Sequence, residues 1–175
     1  MSASSRILIF TGDGKGKTTA ALGMAFRAAG HGIRTCVIQF IKADAKVGEL
    51  LVLPKFQLIE IIQTGLGFLP KPTDPAWLRH QAAAEAGLRK AQEALADTRF
   101  GLVILDEVCL AVARGLLKED AVIAAVRQAR ADSRVVLTGR GATAGLIAMA
   151  DTVTEMQCVK HGMQSGISAQ EGVEL

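Results

Sequence analysis

Residues 7–19 read ILIFTGDGKGKTT and run on into the alanine-rich AALGMAF of residues 20–26. An apolar run, a glycine-rich loop ending in Gly16-Lys17-Thr18 and a helical pattern, in that order, predict the strand, turn and helix that together cradle phosphate. Gly12, Gly14 and Gly16 keep Cβ atoms away from a bound anion and allow φ > 0. Loop N–H groups then converge on phosphate oxygens at the positive end of the helix that follows. Lys17 adds a mobile cation and Thr18 a hydroxyl suited to a Mg²⁺ ligand. Thr11 stands where the usual pattern carries glycine. An ordinary glycine turn would explain the glycines but not the Lys-Thr ending with these flanks. The stretch predicts binding of a nucleoside triphosphate.

A second apolar run, Leu102-Val103-Ile104-Leu105, ends in Asp106-Glu107. On a buried parallel strand it delivers both carboxylates to the carboxyl edge of the sheet, where open α/β folds bind ligands. There one carboxylate would hold Mg²⁺ directly or through water. A Glu directly after the Asp also suggests a strand inserted between the two motif strands. Val135-Val136-Leu137 leads into Thr138-Gly139-Arg140-Gly141 at the same edge, which places Arg140 to reach phosphate, ribose or a substrate carboxamide. An exposed turn arginine is the competing reading. Lys42, after Gln39-Phe40-Ile41, carries the same two readings.

Half of the 175 residues are apolar, yet only 4% are aromatic and tyrosine is absent. A core of Ala, Val, Leu and Ile suits helices packed on a parallel sheet, and the length suits a single domain over residues 1–175. The formal charge of +3 comes from scattered basic residues, so nucleic acid is not an expected partner. No apolar run is long enough to span a bilayer, and five residues before the first strand leave no room for a signal peptide; a cytoplasmic protein is expected. Cys36, Cys109 and Cys158 lack metal-ligand spacing and are expected to be reduced.

Strands are predicted over Arg6–Phe10, Arg34–Ile41, Phe56–Gln63, Phe100–Asp106, Arg134–Thr138 and Thr152–Val159. Helices are predicted over Lys17–Ala29, Pro75–Ala96, Lys118–Arg130 and Ala142–Ala150. All four prolines fall between Pro54 and Pro75, marking one long irregular segment of the kind that often binds ligands. The fold class is α/β and P-loop NTPase-like. It has a mostly parallel sheet of about six strands with helices on both faces, in a RecA-like order that separates the Walker A and Walker B strands.

In chain order, TGDGKGKTTAALGMAFRAAGHG (11–32), VIQFIK (37–42) with Gly48-Glu49 downstream, GLGF (65–68), LVILDEV (102–108), LTGRGA (137–142), ADTVTEM (150–156) and KHGMQSGISAQEGVEL (160–175) resemble the ATP:corrinoid adenosyltransferases of the CobO/BtuR type. That resemblance also accounts for Thr11. It implies transfer of the 5′-deoxyadenosyl group of ATP to reduced cobalt in a corrinoid, with release of triphosphate. It implies that Gly12, Asp13, Gly14, Lys15, Gly16, Lys17, Thr18 and Thr19 hold the triphosphate. Thr18 and Glu107, with Asp106 nearby, would serve Mg²⁺ (or Mn²⁺), and Lys17, Thr18 and Glu107 would carry the catalytic roles. Arg140 and Lys42 would lie toward the nucleotide, and Lys160, His161 and Gln170 would lie in a C-terminal segment near the site. On the corrinoid side Phe68 is kept, but Leu69-Pro70 replaces the Thr-Trp that many relatives carry there. The resemblance further implies a homodimer and a transient flavoprotein reductant. Two other readings are a small P-loop kinase or ATPase, and a non-catalytic ATP- or corrinoid-binding module.

Overall fold

The computed structural model describes residues 5–173. Glu174 and Leu175, the last two residues of the C-terminal motif, lie outside them. Among the described residues six strands form one sheet: β1 (Arg6–Thr11), β2 (Thr35–Gln39), β3 (Ile59–Gln63), β4 (Leu102–Asp106), β5 (Arg134–Thr138) and β6 (Thr152–Glu155). Their order is β3-β2-β4-β5-β1-β6, and every adjacent pair is parallel. β5 therefore lies between β1 and β4, the strands that carry the glycine loop and the Asp-Glu pair.

Burial follows from this order. The central strands TCVIQ (β2) and LVILD (β4) are buried at every position, as strands covered on both faces must be. β1 alternates instead: Ile7 and Ile9 are buried on one face while Leu8 and Phe10 are half-buried on the other. One face is covered by α1 (Lys17–Gly30), whose Ala21 and Ala25 pack on Val37, Leu102, Ile104 and Val136. Such small residues let the helix lie close to the strands. The opposite face carries the larger core, built from α3 (Trp77–Ala96), α4 (Val108–Ala113), α5 (Glu119–Arg127) and α6 (Ala144–Met149). A short helix α2 (Gly48–Val52) and a 3-10 turn at Leu53–Lys55 precede β3.

Several predicted boundaries move inward, each for a local reason. The third strand starts at Ile59 rather than Phe56, because Phe56 closes the Pro54-containing 3-10 turn through its N–H to the Leu53 carbonyl, 2.8 Å. The second ends at Gln39 rather than Ile41, where the chain turns toward α2. The sixth ends at Glu155 rather than Val159. There Met156 donates to the Thr11 carbonyl at 2.8 Å and accepts from Gly14 N–H at 2.7 Å, which bends the chain over the glycine loop. The helix predicted over Lys118–Arg130 spans Glu119–Arg127, with Lys118 as its N-cap residue. Helices α2 and α4 were not anticipated; each is only five or six residues long, too short for a periodic pattern to register.

Candidate active site

The carboxyl ends of the parallel strands converge on one cavity of about 520 Å³. Its walls include Asp13, Gly14, Lys15, Gly16, Lys17, Thr18 and Thr19 from the loop and α1. Lys42, Glu49, Glu107, Arg140 and His161 complete them from five other parts of the chain. Eleven of the sequence-predicted site residues thus meet in one place, and the first wall comes directly from the opening motif. Gly12 lies beneath this lining and supplies a carbonyl to Lys17. Asp106 is wholly buried behind it. Gln170 lines a neighbouring cavity, of about 560 Å³, formed by the C-terminal segment, and shares His161 and Val173 with the first. Lys160 and Phe68 line neither cavity. Phe68 stands fully exposed on the loop after β3.

Thr11, the residue that replaces the usual glycine, has a structural use: its hydroxyl oxygen accepts from the Ala142 N–H at 3.2 Å, tying the end of β1 to the turn that bears Arg140. Lys17 is buried, and its ammonium donates to the Gly12 and Gly14 carbonyls at 2.7 and 2.6 Å. Burial lowers its pKa, with Arg140 acting the same way and Glu107 and Asp13 opposing. The Gly14 N–H is committed to the Met156 carbonyl. Lys15 reaches the opposite end of the chain, donating to the Val173 carbonyl at 2.5 Å, so the C-terminal segment closes over the glycine loop.

Asp106 accepts from Thr18 Oγ1 and Thr138 Oγ1, both at 2.7 Å on Oδ1, and from Gln39 Nε2 at 3.2 Å on Oδ2. Lys42 is partly exposed, 3.8 Å from Asp106 and 2.6 Å from Glu49. Burial raises the Glu49 carboxyl, but hydrogen bonds from Lys42, its own backbone and Gln39 outweigh it and hold the group below its usual range. Glu107 differs. It is the one non-glycine residue with positive φ (64°) among the described residues, a left-handed conformation that costs a side chain about 1–2 kcal/mol. Its N–H donates to Thr138 Oγ1 at 2.9 Å, and its buried Oε2 has no hydrogen-bond partner. Backbone strain and an unpaired carboxylate oxygen together mark a group held for a ligand.

Burial first, then the charge of Asp106, raises the Glu107 pKa against the pull of Lys17, Arg140 and Lys42. A carboxyl raised on folding binds its proton more tightly in the folded than in the unfolded chain. Its burden on stability is therefore absent at low pH and grows as pH climbs from the ordinary carboxylate value through the raised one. Glu107→Gln in the ligand-free protein accordingly raises the melting temperature at neutral pH, and the gain shrinks toward pH about 4. Melts at the two pH values check this; a gain independent of pH would show that Glu107 is not destabilised as an anion.

The oxygen donors Thr18 Oγ1, Asp106 and Glu107 Oε2 suit a hard cation such as Mg²⁺. Among the described residues no group of three or more His, Cys, Asp or Glu could hold a metal by itself. Such an ion would complete its shell with phosphate oxygens, as Mg²⁺ commonly does at nucleotide sites. Cys36 and Cys109 are buried, with thiols pushed up to about 12 by burial first, so they pack rather than react. Cys158 is exposed.

Sequence reasoning assigned no role to Gln39 or Glu49. The signal available was a glutamine ending the strand TCVIQ, whose amide β-strand burial leaves no way to solvate.

Fold and site together define a parallel α/β protein whose glycine loop, lysine and paired carboxylates share one cavity at the sheet's carboxyl edge. The chain belongs to the family of ATP:corrinoid adenosyltransferases BtuR/CobO/CobP, whose model matches residues 3–175. It is 44% identical over 170 residues to a corrinoid adenosyltransferase of Pseudomonas aeruginosa, covering 97% of this chain and 83% of that one. It is 37% identical over 169 residues to a corrinoid adenosyltransferase of Escherichia coli K12, covering 96% and 84% of the two chains. Among solved structures, the flagellar accessory protein FlaH of Methanocaldococcus jannaschii superposes with a TM-score of 0.59 at 12% identity, over 86% of this chain and 70% of that one; this likeness concerns the fold alone. No helix among the described residues is long and apolar enough to cross a membrane.

Proposed function

We infer that this chain transfers the 5′-deoxyadenosyl group of ATP to the Co(I) centre of a corrinoid and releases inorganic triphosphate. The observation that carries the reading is the conjunction, in a member of this family, of Lys17, Thr18, Glu107 and Arg140 on one cavity. The strand order, with β5 between β1 and β4, supports a RecA-like P-loop arrangement in which all 175 residues act as one unit.

Co(I) is a strong nucleophile, so no side-chain base has to create one. Its electron pair forms the bond to C5′ of the ribose. The C5′–O bond breaks, and the electrons leave on triphosphate. The residues are therefore needed at the leaving group. Lys17 turns from the Gly12 and Gly14 carbonyls to phosphate oxygens, and Lys15 and Arg140 add charge at the rim. Thr18 and Glu107, with Asp106 behind them, would hold Mg²⁺, which would add further neutralisation of the leaving group. Glu107 acts as a ligand or hydrogen-bond acceptor there, and water is excluded rather than activated. His161, Gln170 and Lys160 belong to the C-terminal segment that closes over the loop, and Lys42 braces the wall through Glu49. Phe68, a fully exposed aromatic ring on the loop after β3, offers a flat apolar surface to a corrin macrocycle. The protein works in the cytoplasm as a homodimer, with a flavoprotein supplying electrons for Co(I).

Anaerobic incubation with ATP, Mg²⁺ and chemically reduced Co(I) corrinoid tests the reading. The expected products are a light-sensitive alkylcobalt species and stoichiometric triphosphate. ADP and phosphate without cobalt alkylation would identify a phosphotransferase or ATPase instead.

A further inference from the structure

At the carboxyl edge of the sheet, Gln39 sits in register with Gln63 on β3 and with Asp106 on β4. Side chains at matched positions of neighbouring parallel strands point to the same face, so the three form one lateral row. Gln63 Nε2 donates to Gln39 Oε1 at 3.0 Å, and Gln39 Nε2 donates to Asp106 Oδ2 at 3.2 Å. Thr138 and Thr18 donate to the other oxygen of Asp106 from the far side. Gln39 Nε2 also donates to Glu49 Oε1 at 3.1 Å, joining α2 to the row. The Gln39 side chain is wholly buried, and each of its two polar atoms is bonded.

The row has a fixed polarity. Two carboxylates face the Gln39 amide, so its N–H₂ must point at them and its oxygen must point away, toward β3. That oxygen then requires a donor, which sets Gln63 with its N–H₂ inward. Hydrogen bonds chained in this way polarise and orient one another in a low-dielectric interior. The orientation at Asp106 is thus carried across two strands.

The Phe68 loop rests on the same residue. The Gln39 main-chain carbonyl accepts from Thr64 N–H at 3.0 Å and Gly65 N–H at 3.3 Å, and the Ile41 carbonyl accepts from Gly67 N–H at 2.8 Å. Gly65 lies so close to the end of β2 that a Cβ there would fall 2.1 Å from the Ile41 carbonyl carbon. The loop that presents Phe68 is therefore laid directly on the strand end that Gln39 fixes.

We propose that Gln39 is a positioning residue that couples the nucleotide side of the site, through Asp106 and Glu49, to the loop that bears Phe68. The inference rests on the nucleotide reading above. MgATP in the cavity changes the field at Asp106 and engages Thr18, and any adjustment of that carboxylate reaches the Thr64–Gly67 backbone through Gln39. Filling one half of the site thereby sets the shape of the other.

Amide hydrogen exchange at Thr64, Gly65 and Gly67, with and without MgATP, tests the coupling without any corrinoid. In the wild type MgATP slows these amides by about fivefold or more. Gln39→Met keeps the main-chain carbonyl and the side-chain length, so a purely structural role leaves that response intact; the proposal expects it to fall below about twofold. Gln63→Leu, which touches neither Asp106 nor the cavity, loses the response likewise while binding MgATP within about threefold of wild type, and it decides the matter where Gln39→Met fails to fold. Normal MgATP binding with unresponsive wild-type amides, or variants that respond as wild type does, overturns the coupling alone. A wild type that does not bind MgATP overturns the nucleotide reading and this inference with it.

Discussion

Replacing Lys17 with alanine lowers the turnover of ATP and Co(I) corrinoid by at least about 10²-fold. In this reaction the negative charge grows on the departing triphosphate, and the nucleophile needs no help. Cationic groups at the leaving group therefore bear most of the load. Lys17 is the buried member of the set, on the cavity wall with its ammonium held by two carbonyls at 2.7 and 2.6 Å. A charge screened from water acts more strongly than one in solution. Arg140 and Lys15 are exposed, so their charges act through water and replace a buried ammonium poorly. Turnover numbers at saturating ATP, measured with chemically reduced corrinoid, separate this effect from weaker ATP binding. A value within about threefold of wild type would remove Lys17 from the chemistry.

Gly12→Ala strikes the fold and the site at once. The residue adopts φ +92°, a conformation alanine strongly resists. A Cβ there would also meet the Met156 carbonyl oxygen at 2.4 Å and its nitrogen at 2.8 Å, both backbone atoms with no rotamer to yield. Strained backbone of this kind costs about 1–3 kcal/mol, and overpacking adds about 1–3 kcal/mol more. A combined loss of about 3 kcal/mol corresponds to a fall of about 6–12 °C in melting temperature for a chain of this length. The clash forces the Met156 segment after β6 away from the loop and breaks the Gly14–Met156 bond, so ATP affinity falls with stability. A variant that melts within about 2 °C of wild type would mean that the loop and the Met156 segment separate freely.

Much of this was legible in the residues. Ile7–Phe10 with its glycine loop, and Leu102–Glu107, placed two strands and both halves of the cavity, because apolar runs ending in chemistry-bearing residues leave a parallel sheet little choice of edge. The resemblance put His161 in a segment near the site, and His161 lines the cavity, although the surrounding pattern offered no periodic signal. Strand ends were harder. Whether β6 stops at Glu155 or Val159 depends on Met156 turning to meet Thr11 and Gly14, a contact across nearly the whole chain that no local propensity encodes. Gln39 and Glu49 went unassigned for a similar reason: their meaning lies in partners on other strands and on a five-residue helix. Lys42 was placed toward the nucleotide, and it does line the cavity, but its nearest charge is Glu49.

The position of β1 in the sheet bears on how the protein comes into being. Among the described strands it is made first, yet it pairs only with β5 and β6, the last two of them to be made. A nascent chain emerging from the ribosome thus carries Ile-Leu-Ile-Phe with no sheet to join until Arg134–Thr138 has followed. Pairings of such long sequence separation are slow to form and leave sticky strand surface open meanwhile. The Lys15–Val173 contact makes the final closure later still. The cavity is a property of the finished chain: no growing fragment can assemble it, and a protein halted in synthesis would have a glycine loop without a site.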